Sequence, residues 1–117
     1  MSDENSKAAE AHPVERLVMQ GSDRNREVNR LHGIAMDLAE QGYFNAAFTA
    51  EKNAAMLLLD DDVQPTRSIL FRSAGFLALD AGRTEDARRM AHYGLDKNPP
   101  EAIRAELMEL LVKCSPA

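Results

Sequence analysis

Three histidines, one cysteine and one run of three aspartates are the residues of this chain whose types could carry chemistry, and their spacing decides how much of it they could do. His12, His32 and His92 are far apart in sequence, with no cysteine or carboxylate at metal-ligand spacing, so no metal site is read from them. Asp60, Asp61 and Asp62 would attract a cation, but no calcium-loop spacing follows them, and the triplet reads as a solvated acidic turn. Cys114 stands alone and cannot close an internal disulfide, which fits a reducing cytoplasm; it reads as an ordinary residue of the C-terminal tail. The chain holds no glycine-rich phosphate loop and no nucleophile elbow. One pair remains, Arg26 and His32, with five residues between them. Ten arginines and three histidines in a chain this short give roughly 0.8 such pairs by chance, so the pair alone does not argue for catalysis. The expectation is a non-enzyme that carries no cofactor.

Charge narrows the partners. The chain has 14 basic and 19 acidic residues, a formal charge of −5, and its basic residues are spread along its length, which argues against a nucleic-acid surface. The opening MSDENSKAAEAHP is polar and acidic and does not read as an export signal. The longest apolar run, Ala54 to Leu59, is too short to cross a bilayer. These features predict a cytoplasmic protein whose partners are proteins or peptides rather than nucleic acid or membrane.

The elements that must position any site are helices. A core drawn from Ala, Leu, Met and Val, with two Tyr, four Phe and no Trp, suits close helix packing, and no alternating β-branched runs appear. At 117 residues the chain reads as one all-α domain. Residues 1–12 are too polar to order and read as a disordered tail; residues 13–22, with Val14, Leu17 and Val18 closed by Gly21, read as a short helix or arm; residues 23–117 read as the helical domain. Within it a helix capped by Ser22 or Asp23 carries Val28, Leu31, Ala35 and Leu38 on one face and ends at Gly42. A second, Tyr43 to about Leu59, buries Phe44, Ala47, Phe48, Ala54 and Leu58, and DDDVQP breaks it. A third begins after Thr66, carries Ile69, Leu70, Phe71, Ala74, Phe76, Leu77 and Leu79, and stops at Gly82. Thr84 caps a fourth, lined by Ala87, Met90, Ala91 and Leu95; Asn98 caps a fifth, striped by Ile103, Leu107, Leu110 and Leu111.

The chain also repeats itself. Setting Gly42 over Gly82, 40 residues apart, lays Leu31 on Phe71, Ala35 on Gly75, Ala47 on Ala87 and Ala54 on Gly94. A large residue opens the first helix, a small one follows a turn later, glycine makes the turn, and small residues recur in the second helix. With Pro99 closing the second copy, each unit resembles a tetratricopeptide repeat, over about Val28 to Val112. The first copy departs by carrying Leu59 in place of the closing proline and by the Asp60 to Gln64 insert. The resemblance implies antiparallel helical hairpins, two such repeats and a C-terminal capping helix. It further implies that the first helix of each pair lines a concave groove. Carried over, the groove residues are Asn29, His32, Met36 and Ala39, then Ile69, Arg72, Phe76 and Leu79. Where some relatives grip a carboxylate terminus, Met36 and Phe76 stand instead. The candidate partner site is therefore His32, Met36, Ile69, Arg72, Phe76 and Leu79, an apolar floor for an amphipathic or hydrophobic peptide with an acidic group, for the arm Val14 to Met19, or for a second copy in a homodimer.

A second resemblance comes from Arg26 and His32, which match the R-x(4–6)-H signature of the small helical ribonucleases called HEPN domains. It implies an RNA-cleaving or toxin–antitoxin role. Here the pair falls early, with Glu27 after the arginine where those domains carry a polar residue and place the motif late.

Overall fold

The computed structural model describes residues 21–116, and among them every regular element is a helix. These are α1 (Gly21–Glu40), α2 (Phe44–Met56), α3 (Thr66–Asp80), α4 (Thr84–Leu95) and α5 (Glu101–Cys114). The tail expected at 1–12 and the arm up to residue 20 lie outside the described residues, as does Ala117. Gly21 and Ser22, read as the close of an arm and a cap, already belong to α1.

The two tight connections are built alike. Beyond α1, the Gly42 N–H donates to Ala39 O at 2.9 Å and the Tyr43 N–H to Leu38 O at 2.9 Å. Beyond α3, the Gly82 N–H donates to Leu79 O at 3.0 Å and the Arg83 N–H to Ala78 O at 2.8 Å. This pair of bonds closes a helix over a left-handed residue, and Gly42 (φ 86°) and Gly82 (φ 76°) supply that conformation without a Cβ penalty. Each turn then launches the next helix through the same bond, Ala47 N–H to Tyr43 O and Ala87 N–H to Arg83 O, both at 2.9 Å.

Each helix packs against the next in sequence, and α3 packs also against α5. The molecule measures 52 × 32 × 19 Å, its thinnest dimension about two helix diameters, as two layers of helices require. The apolar stripes point inward as their spacing predicts: Val28, Ala35, Ala47, Phe48, Ala54, Leu58, Leu70, Phe71, Ala74, Leu77, Ala87, Met90, Ala91, Ile103, Leu107 and Leu110 are buried.

Three local expectations need correction. Cys114 is no tail residue: it is buried on the last turn of α5 within the core, and burial pushes its thiol up from the ordinary cysteine value. Asn98 does not cap α5; it takes a positive φ of 34° in the turn before it, and Pro100 holds the N-cap position. Thr84 is the first residue of α4, with Arg83 at the N-cap and no capping side chain.

Between the hairpins, the Leu57 to Pro65 connection is tied down by side chains. The Gln64 carboxamide accepts from the Ser68 hydroxyl (2.7 Å) and donates to Lys97 O (2.8 Å), joining the start of α3 to the turn after α4. Asp61 pairs with Arg24 of α1. The insert that broke the sequence pattern is thus fastened at both ends of the array.

Candidate functional site

The residues expected to line a groove fall on α1 and α3, and their surroundings differ. Met36 is an exposed apolar residue on α1. Ile69, Arg72, Phe76 and Leu79 on α3 are half-buried, and Phe76 and Leu79 pack against the core cluster. The floor is therefore continuous with the core, and Met36 is its freest side chain.

His32 and Arg72 occupy the same place in the two copies, 40 residues apart, and both are engaged across helices. Arg72 pairs with Glu106 of α5. His32 Nδ1 lies 2.9 and 3.0 Å from the two oxygens of Glu51 on α2. Both oxygens of one carboxylate thus face the same ring nitrogen, tying the imidazole of α1 to α2. Glu51 is fully buried, whereas the His32 side chain is 43% exposed. A buried carboxylate is costly unless paired, which makes His32 the polar link between the interior and the outer surface of α1.

Arg26 does not join His32. Its guanidinium pairs with Asp23 one turn earlier, and six positions along a helix set the two side chains about 120° apart around the axis. His12 lies outside the described residues, and His92 is exposed on α4. Among the described residues no three metal-ligating side chains converge, and no helix is long and apolar enough to cross a membrane.

The polar residue most firmly built into the structure is one the sequence reading passed over. Arg67, fully buried on α3, donates from Nε to Leu58 O and Leu59 O (both 3.2 Å), from Nη2 to Leu59 O (2.9 Å), and from Nη1 to Tyr93 O (2.8 Å) and Asp96 O (3.3 Å). Its guanidinium also lies 4.9 Å from the Phe71 ring centroid. The carbonyls stand at the C-terminal ends of α2 and α4, where helix ends leave acceptors unpaired and negative potential gathers. Burial pushes the Arg67 pKa down, and Asp96, Asp62 and Asp60 push it back up. The residue clamps the ends of both hairpins rather than offering itself to a ligand.

Buried polar groups such as these leave a trace in the pattern. Arg67 continues the stripe of Leu70, Phe71 and Ala74, and Glu51 has Ala47, Phe48, Ala54 and Ala55 three and four positions away. A charged residue with apolar neighbours at all those spacings faces the core. No family model, no curated protein and no solved structure matches the chain.

Proposed function

We propose that the chain is a non-catalytic, cytoplasmic protein–protein interaction module, a tetratricopeptide-like pair of helical hairpins with a capping helix. A peptide or protein partner, or a second copy in a homodimer, lies along the face carrying His32, Met36, Ile69, Arg72, Phe76 and Leu79. The observation that carries the reading is the duplicated hairpin: the same glycine turn, with the same hydrogen bonds, recurs 40 residues on, with small buried residues at matching places. Stacked hairpins of this kind place their first helices side by side, and that row is a surface extended peptides or helices use. Two polar side chains stand beside the apolar line: His32, held by Glu51, and Arg72, shared with Glu106.

Met36 is the residue to change, because Phe76 packs against the core and its loss would unsettle the fold. A photo-crosslinking residue at position 36 should join one recurrent partner, or a second copy, in cells, while the same residue at exposed Val112 on α5 should not. Met36→Glu should lower that partner's recovery at least tenfold with helical circular dichroism unchanged. Equal recovery from both positions would sink the groove reading.

A further inference from the structure

A cleft outside the α1–α3 row carries its own polar lining. Helices α2 and α4 make little direct contact; both rest on α3, and the cleft runs between them. It has a volume of about 310 Å³ and is lined by Lys52, Asn53 and Met56 from α2 and by Asp86, Arg89, Met90 and Tyr93 from α4.

The lining carries two cations, Lys52 and Arg89, and one carboxylate, Asp86, a local charge of +1 in a chain whose net charge is −5. The Lys52 ammonium lies 5.8 Å from the centroid of the Phe48 ring, and the Arg83 guanidinium lies 5.2 Å from the same centroid. Arg83 and Arg89 both donate to Asp86, each at 2.8 Å. Lys52 of α2 and Arg89 of α4 thus line the cleft with Asp86 between the two arginines, and Arg83 stands beside it at the N-cap of α4. The Asp86 carboxyl is held below its ordinary value by the Arg83 hydrogen bond and by the charges of Arg83 and Arg89, against the opposing effect of burial. Along the same helix, by contrast, Arg88 is balanced one to one by Glu85 at 2.5 Å.

The rest of the lining fixes the kind of anion. Met90 is buried at the floor and Met56 is partly exposed on the wall, giving thioether surfaces that adapt to an aliphatic side chain. Tyr93 is held by its tilted contact with Phe71, ring centroids 5.5 Å apart, so one wall is rigid and aromatic. The space has room for one or two side chains and stands at the low end of small-molecule pockets. A duplex backbone needs cations in a row to neutralise successive phosphates, and here they are clustered, with Glu85 and Asp86 on the same helix.

We infer that the α2–α4 cleft binds an acidic segment of a partner protein, a carboxylate side chain seated between Lys52 and Arg89 with a neighbouring aliphatic side chain on Met56 and Met90. This occupant differs from that of the α1–α3 face, so a module with two sites results, one apolar and one anion-binding.

The test is a titration of the isotope-labelled full-length chain, followed by amide NMR. The probe is a 15-residue helical peptide of glutamate, leucine and alanine; its glutamine-for-glutamate counterpart and inorganic phosphate serve as separate arms. Saturable shifts should centre on Lys52, Asn53, Arg89 and Tyr93. The glutamine peptide should bind at least tenfold more weakly, as should the acidic peptide to Lys52→Glu/Arg89→Glu. The neutral pair Lys52→Gln/Arg89→Gln, with helical content checked, should fall between. Shifts centred elsewhere, no shifts at millimolar peptide, or unchanged affinity in both double variants would overturn the site. Phosphate moving the same residues with the peptide's affinity would mark a small-anion site and overturn the peptide assignment.

Discussion

A single guanidinium decides how the two hairpins meet. Arg67 has five donor–acceptor contacts with carbonyls from two helix ends, and among the described residues all its hydrogen-bond acceptors are backbone. That is why composition and spacing could not assign its role: its acceptors are backbone atoms 8, 9, 26 and 29 positions away, and backbone carries no residue signature. Removing it strands acceptors at the ends of α2 and α4 and opens a cavity beside Phe71. Arg67→Met, which keeps much of the volume and none of the donors, should cost about 3–5 kcal/mol in urea denaturation, from several unsatisfied buried carbonyls at about 1–3 kcal/mol each, partly relieved by water. Arg67→Lys should recover less than half of the loss, since a compact ammonium cannot reach both helix ends at once. Equal stability of the wild type and both variants would show that water replaces the clamp without cost.

Among the elements, the glycines report what each helix presses against. Gly75 and Gly94 sit inside α3 and α4, where glycine ordinarily lowers helix stability. A Cβ on Gly75 would run into the Leu110 side chain, and one on Gly94 would lie 2.9 Å from Leu107 Cδ2 and 3.1 Å from Phe71 Cβ. Forty positions earlier stand Ala35 and Ala54, so glycine is found where α5 packs and alanine where it does not. Gly33, in the middle of α1, has nothing within 4 Å of its virtual Cβ. Gly33→Ala should therefore stabilise the protein by about 0.5–1 kcal/mol, while Gly75→Ala should destabilise it by about 1–3 kcal/mol through overpacking. Thermal or denaturant unfolding of the two variants checks the signs; stabilisation by both would mean α5 is loosely seated. The helices themselves were legible because apolar spacing and glycine turns are local signals. The seat of α5 was not, since it depends on which leucine of one helix meets which glycine of another.

At the scale of the whole molecule, the two outer helices, α1 and α5, expose different surfaces. The α3 residues Leu70 and Leu77 are buried; 40 positions earlier on α1 stand Arg30 and Asp37, both exposed. The face of α1 that carries these two residues is thus polar, and the large apolar side chains that α1 exposes among the described residues are Ile34 and Met36. The other edge, α5, leaves Met108 and Val112 exposed. The candidate site was legible only as a row of positions on α1 and α3. The pairing of His32 with buried Glu51, and the cations gathered between α2 and α4, depend on helices meeting across the turns and so escaped a linear reading. Contact is richest at the centre: α3 touches α2, α4 and α5, whereas α1 and α5 are the outer layers. Stability should follow that gradient, because opening an outer helix exposes one interface and opening α3 exposes three. Native-state hydrogen exchange should find the slowest amides between Leu70 and Ala78, with exchange free energies near the global value. The first turns of α1 and the last turn of α5 should open at least tenfold more often. Uniform protection across all five helices would instead mean that the hairpins unfold only together, and the energy would then be shared through Arg67 and Gln64 rather than stacked outward from α3.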